Sequence, residues 1–279
     1  MTALEAPAPA PAGASIPAIL ADLDAGTRRA AVPDRAAPGG WRADHEVKAA
    51  ILACFRDRTT ETWDLGGALR FRDRVGLPPK SLLDGREADA ATAAGRPWRI
   101  VPGGTSVRAG VYLGPGVVVM PPSFVNVGAW IGEDTMVDSH VLVGSCAQVG
   151  SRVHLSAGVT LGGVLEPAGA RPVIVEDDAF VGAGSSLLEG VLVGAGAVIG
   201  AGVVLTGTSR LYDLVRGRVH SGTPDAPLAV PPGAVVVPGT RALDGDLARA
   251  HGLSVAVALL VKDRDAGTDA RLVLEEALR

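Results

Sequence analysis

Aromatic side chains are scarce in this chain of 279 residues, which has four Trp, four Phe and two Tyr. With 47% hydrophobic residues but only 4% aromatic, any large core must be narrow and aliphatic rather than filled by rings. Cysteine is nearly absent. Cys54 and Cys146 make neither a disulfide framework nor a zinc spacing, which points to a reducing compartment. Neither sign of charge dominates: 26 Lys and Arg stand against 30 Asp and Glu, for a formal net charge of −4. That balance argues against a nucleic-acid or anionic-membrane partner held by global electrostatics, but leaves room for a local basic patch toward a phosphorylated cofactor. No apolar run approaches the length of a membrane span. The start, Met1-Thr2-Ala3-Leu4-Glu5, has no basic region and no apolar core of a signal peptide. The expectation is a soluble cytoplasmic protein with no nucleic-acid and no membrane partner.

What is present is a period of six. Apolar residues recur at Val101, Val107, Leu113, Val119, Val125, Ile131, Val137, Val143, Val149, Leu155 and Leu161. After a shift in Gly163–Pro172 the count resumes at Val175, Val181, Leu187, Val193, Ile199 and Leu205. Helices repeat at 3.6 and strands at 2, so neither explains this spacing. A coil of three short strands and three turns does, each sixth residue pointing inward from the middle of a flat face. Small residues two places earlier, such as Val111, Ala129, Thr135 and Ala179, can turn inward near the corners. Glycine often follows the inward residue, as at Gly132 and Gly144, and is read as the corner-turning residue. Single coils cannot bury their aliphatic side chains alone, so stability comes from stacking.

The rest of the chain frames this solenoid. Residues 1–14 read as a disordered Ala/Pro-rich leader. Residues 15–97 read as an N-terminal α-helical domain, with one helix opening at Ser15-Ile16-Pro17 and a second capped by Asp44, whose stripe includes Cys54. Arg70, Arg72 and Arg74 read as a solvated face, and 87–95 as a short helix or linker. The β-helix spans 98–240, with Gly233–Gly239 as its last coil strand. Residues 241–279 form a C-terminal extension with an apolar strand at 255–261 and a helix after Asp269. The fold class is mainly β: a parallel β-helix of hexapeptide repeats.

Two carboxylates sit just past inward positions, Asp138 after Val137 and Glu189 two past Leu187. The segment from Leu161 to Val175 counts as one hexad with a long insertion or two with a short one. Seven or eight hexads then separate the carboxylates, never a multiple of three. They lie on different faces of one prism, so a site shared by both is most easily formed between neighbouring subunits, and a trimer is the natural closure.

The runs Met120-Pro121-Pro122-Ser123-Phe124-Val125-Asn126-Val127-Gly128-Ala129, Thr135-Met136-Val137-Asp138 and Val143-Gly144-Ser145-Cys146-Ala147-Gln148-Val149-Gly150 carry a resemblance. So do Val153-His154-Leu155-Ser156, Gly162–Pro167, Val175–Asp178, Glu189-Gly190-Val191 and Arg210-Leu211-Tyr212-Asp213. Together they resemble the tetrahydrodipicolinate N-succinyltransferase family, over nearly the whole chain beyond residue 14. The resemblance implies that the β-helix is left-handed and that the enzyme is a homotrimer with intersubunit active sites, which moves succinyl from succinyl-CoA to the amine of ring-opened tetrahydrodipicolinate, in lysine and diaminopimelate synthesis. It implies no permanently bound cofactor and no metal. The family's substrate-binding arginine falls on Arg99, its substrate-binding aspartate on Asp138 and its second acid–base carboxylate on Glu189.

The chemistry asks for such groups. An amine attacks a thioester only when unprotonated, so a carboxylate must accept its proton. A dicarboxylate substrate needs a fixed cation, best an arginine: Arg99 first, Arg108 second. Backbone amides of Gly184 or Gly202 are candidates for the oxyanion, and Lys262 and Arg264 for the 3′-phosphate of the cofactor. The second proline at Pro121-Pro122 and the long loop 221–232 depart from the family pattern and bear on acyl or acceptor choice. A related acyl-CoA N-acyltransferase is the alternative. Rival readings put the base on His154 or His140, a thiol nucleophile on Cys146, or three histidines on the zinc of a carbonic anhydrase-like solenoid. A purely ligand-binding solenoid is a further class.

Overall fold

The computed structural model of the protein describes residues 16–65, 69–80, 95–223 and 225–268. The leader 1–14, most of the 87–95 segment and the helix after Asp269 lie outside the described residues.

Each hexad forms a two-residue strand whose first residue faces out and whose second faces in. Met136–Val137 pairs in parallel with Val118–Val119 on one side and with His154–Leu155 on the other. Partners differ by 18 in number, so three hexads close one coil. Three parallel sheets result. The first face runs from Arg99–Ile100 to Val198–Ile199 and is lengthened by the C-terminal strands. The second runs from Ser106–Val107 to Val204–Leu205, and the third from Tyr112–Leu113 to Ala229–Val230. The first edge joins faces one and two, the second edge two and three, the third edge three and one.

The inward residues from Val107 to Leu205 stack into one aliphatic column with the small residues two places before them. Burial of each large one contributes about 1.5–3 kcal/mol. The rings lie outside this column. Tyr112 and Trp130, for example, stack 4.0 Å apart on the outer side of the third face.

Two details of the repeat differ from the sequence reading, and a third that it left open is decided. The first coil pairs Ile100, not Val101, with Val119, because Pro102-Gly103-Gly104 lengthens that turn by one residue. Leu161 and Val175 lie on the second and third faces, so the segment between them is one hexad with a long insertion. The glycine after the inward residue does not turn the corner. It makes room for the next coil: a Cβ on Gly144 would lie 2.2 Å from the Gly163 nitrogen, and one on Gly132 would lie 2.5 Å from the Gly150 carbonyl carbon. The left-handed corner residue comes two places later and includes Asp134, His140, Cys146, Arg152 and Asp178.

The N-terminal segment covers the third face and the second edge. It holds helices α1 (Ile16–Asp24) and α2 (His45–Arg56), and also two antiparallel strand pairs, Ala31–Pro33 with Trp41–Ala43 and Thr60–Leu65 with Leu69–Arg74. Asp44 caps α2 by accepting from the Val47 N–H at 3.1 Å. Ile19, Leu20, Leu23, Val47, Ile51 and Cys54 pack on Val127 and Cys146 of the prism. Lys48 is fully buried and donates to the carbonyls of Ala170 (2.7 Å) and Pro167 (3.2 Å), tying the long insertion to α2.

Ala234–Ala242 adds to the first face beside Val198–Ile199, then pairs with Ser254–Asp263, which pairs in turn with Arg210–Asp213. Asp213 is buried there. Burial opposes its ionisation, but the His220 ring 3.1 Å away and the N–H groups of Arg216 and Val215 outweigh it and bring its pKa down to about 2.

Two outcomes check this picture. Leu155→Ala removes the side chain at the centre of the column and should cost about 2–5 kcal/mol in urea unfolding. Because folding lowers the Asp213 pKa, its contribution is present above the usual carboxylate range and is lost as pH falls toward 2. In acid titration followed by circular dichroism, Asp213→Asn should therefore flatten that last part of the stability profile.

Candidate active site

The two carboxylates occupy different edges. Asp138 follows the first-face strand of the third coil and lies on the first edge, half-buried, where its Oδ1 accepts from the Ser139 N–H at 2.7 Å. Its carbonyl accepts from Ser123 Oγ at 2.9 Å. Glu189 follows the second-face strand of the fifth coil and lies exposed on the second edge. Its backbone is left-handed, with φ of 53°, and its Oε2 accepts from the Gly207 N–H at 3.2 Å. A non-glycine residue held in that region marks a constrained position. One chain does not bring the pair together: the whole second face lies between them, and two coil steps add about 10 Å of rise.

Arg99 opens the first face in the first coil, two coil steps below Met136. It lines a cavity of about 690 Å³ with Arg96, Asp134, Met136 and Arg152. Arg96 is paired with Asp134, and Arg152 makes a two-pronged bond to Asp178 at 2.7 and 2.8 Å. Among the described residues no carboxylate pairs with Arg99, unlike Arg96 and Arg152 beside it.

The other sequence candidates have neighbours that redefine them. Arg108 is held by Asp73 and by Asn126 Oδ1 at 3.3 Å, between the rings of Phe55 and Phe124. Lys262 pairs with Asp265 at 2.9 Å. Arg264 donates to the carbonyls of Asp178 (2.8 Å) and Gly196 (3.1 Å), fastening the C-terminal strand to the third edge. The amides of Gly184 and Gly202 donate to Ala157 and Ala183 carbonyls, both at 2.9 Å. They serve the coil ladder and are not free to hold an oxyanion, which corrects that expectation. The preceding residue in each turn is exposed, and among the described residues the Ala157, Ala183 and Ala201 amides donate to no backbone carbonyl. These turn amides lie on the first edge, as Asp138 does.

His140 sits on the first edge, whereas His154 is buried on the first face and stacks on Phe180 with ring centres 5.1 Å apart. Among the described residues no group of three or more His, Cys, Asp or Glu is placed to share a metal. Cys146 is fully buried between α2 and the prism, and burial pushes its thiol up to about 12, against a smaller opposing pull from Lys48. On the third face, Arg29 lies 4.2 Å above the Trp130 ring and donates to Gln148 Oε1 at 3.0 Å. Burial lowers its pKa to about 10, opposed by Asp177. None of the described helices is long and apolar enough to cross a membrane.

Residues 172–207 match the profile of a family described as the hexapeptide repeat of succinyl-transferase. A 2,3,4,5-tetrahydropyridine-2,6-dicarboxylate N-succinyltransferase of Polynucleobacter asymbioticus is 41% identical over 273 residues, 98% of this chain and 91% of its own length. The enzyme of the same name from Dechloromonas aromatica is 41% identical over 267 residues, 95% and 89% of the two chains. That of Xylella fastidiosa is 42% identical over 262 residues, 94% and 86%.

A thiol protonated up to about pH 12 is inert. Iodoacetamide at pH 8 should leave Cys146 unmodified in the native protein and alkylate it in urea, as read by peptide mass spectrometry.

Proposed function

The chain belongs to the 2,3,4,5-tetrahydropyridine-2,6-dicarboxylate N-succinyltransferase family, and we propose that it works from succinyl-CoA in grooves between the three prisms of a homotrimer. It transfers a succinyl group to the amine of ring-opened tetrahydrodipicolinate, in the succinylase branch of lysine and diaminopimelate synthesis.

The observation that carries the trimer is the second face. It is bounded by the Asp138 edge on one side and the Glu189 edge on the other. The third face is covered by the N-terminal segment, but the second leaves Leu142 and Val204 37% and 59% exposed. Packing such a face against another copy buries these side chains and sets an Asp138 edge near a Glu189 edge of a different chain.

In that groove Arg99 receives a carboxylate of the acceptor as a planar ion pair. Asp138 accepts the proton as the amine nitrogen attacks the thioester carbon. The carbonyl oxygen becomes an oxyanion, for which the exposed turn amides of the first edge are suitable donors. When the intermediate collapses, the C–S bond breaks and the proton passes to the departing thiolate, giving an amide and free CoA. Glu189 supplies the second acid–base carboxylate. The reaction asks for no resident metal or prosthetic group. A reducing cytoplasm suits the two buried free thiols, Cys54 and Cys146.

Asp138→Asn should stay trimeric by sedimentation while turnover falls at least about a hundredfold; near-normal turnover would remove Asp138 from the mechanism. Leu142→Asp places a charge on the proposed interface and should give monomers lacking activity. Parallel assays with succinyl-CoA and acetyl-CoA decide the donor, with succinyl-CoA expected to be strongly preferred.

A further inference from the structure

A second arginine cluster lies at the far end of the prism. Arg210 and Arg241 line one cavity of about 300 Å³ with Ser209, Tyr212, Val257 and, on the second face, Val204. The strand register explains why they share it. Arg241 pairs with Val255, and Leu211 pairs with Ala258, which sets Arg210 beside Val257. Side chains alternate along a strand, so Arg210 and Tyr212 fall on the same side of the sheet as Val255, Val257 and Arg241. Leu211, Ala258 and Leu260 take the other side and are buried.

Neither guanidinium is neutralised by a described residue. Among the described residues no carboxylate lies within ion-pairing distance of Arg210 or Arg241, and Arg241 donates only to the Ala242 carbonyl at 3.2 Å. The neighbouring cations Arg216, Lys262 and Arg249 all have acidic partners. Two like charges facing one small cavity repel unless an anion sits between them.

The cavity also lies in line with the proposed chemistry. It begins at Val204 in the sixth coil, three coil steps beyond Asp138, or about 14 Å. The first edge between them consists of turns whose side chains end at Cβ: Ala157-Gly158, Ala183-Gly184 and Ala201-Gly202. A Cβ built on Gly184 or Gly202 meets nothing within 4 Å, so this track is open. In a CoA thioester about thirteen bonds separate sulfur from the first phosphorus, roughly 15 Å when extended. A thioester held at Asp138 with its arm along these turns brings its phosphates to the cavity.

We infer that Arg210 and Arg241 hold phosphate groups of the acyl-CoA donor, in the role the sequence had offered to Lys262 and Arg264. Tyr212 and Ser209 add hydroxyl groups to the same wall. The inference rests on the acyl-CoA reading above, but its test separates the two.

Calorimetry with adenosine 3′,5′-bisphosphate probes the cavity without any turnover. The native protein should bind it, and Arg210→Gln or Arg241→Gln should weaken binding about ten- to a hundredfold, the usual loss for a charge-assisted contact. Lysine at either position should recover part of the affinity. In steady-state assays each Gln variant should lose at least about tenfold more kcat/KM with succinyl-CoA than with succinyl-pantetheine, which has no phosphates. Assays with 3′-dephospho-CoA thioester tell the 3′-phosphate from the pyrophosphate: a variant whose defect disappears with that donor contacts the 3′-phosphate. Unchanged bisphosphate affinity in both folded Gln variants, or equal losses with the two donors, overturns the assignment. Turnover of neither succinyl-CoA nor acetyl-CoA by the native protein, with bisphosphate binding intact and arginine-dependent, would instead overturn the acyl-transfer reading and leave the phosphate site standing.

Discussion

The spacing of the parallel ladder governs this molecule. Each coil must place its inward residue directly over the one below at about 4.8 Å, and every other feature adjusts to that distance. Aliphatic side chains fill the column because they stack without polar atoms to satisfy. Glycine is needed where the turn of one coil touches the backbone of the next, as at Gly132 and Gly144. With the interior fixed so rigidly, chemistry is confined to the outward residues, the edges and the segments appended to the prism.

That confinement explains which parts were legible in the sequence. Sixteen inward positions from Val107 to Leu205 follow from the six-residue period, since a local repeat dictates a local structure and all sixteen are buried. The slip at Ile100 was not legible, because Pro102-Gly103-Gly104 adds a residue to a turn without altering composition. The length of the Leu161–Val175 insertion was ambiguous for the same reason: only pairing with neighbouring coils counts hexads across a loop. The Thr60–Leu65 and Leu69–Arg74 hairpin shows alternating Arg and apolar residues, yet that alternation suits an exposed surface as readily as a strand. The shared face of Arg210 and Arg241 depends on three strands from distant parts of the chain, so no spacing rule reaches it.

Charge follows a similar logic. A net charge of −4 conceals how the arginines are used. Arg28, Arg96, Arg108, Arg152 and Arg216 all have carboxylate partners and work as local clasps. Exposed pairs of this kind contribute little each, but they neutralise the surface. Arg99, Arg210 and Arg241 lack such a partner among the described residues and line the two cavities described above. Residue type alone could not sort them. Family resemblance assigns a role to Arg99, whereas Arg210 lies in a resembling motif to which the sequence attaches no role.

A three-sided prism with an 18-residue coil also limits how catalytic groups can meet. Residues a multiple of three hexads apart share a face or an edge; any other count separates them. Asp138 and Glu189 are seven hexads apart, so folding a single chain can only part them, and no loop movement carries one across the intervening face. Asp138, the open turn amides and the arginine cavity, by contrast, all follow the first edge and its extension. The donor track can thus be built by one chain, whereas joining both carboxylates takes the edge of another. On this geometry a substitution along the first edge acts within its own chain, and a defect at Asp138 in one copy and at Glu189 in another falls in the same or in different grooves according to how the copies are arranged. Mixed oligomers of Asp138→Asn and Glu189→Gln chains should therefore regain a fraction of native turnover, since some grooves then receive both intact carboxylates. Absence of any recovery in such mixtures, with exchange of chains verified by mass spectrometry, would mean that the two residues do not serve one intersubunit site.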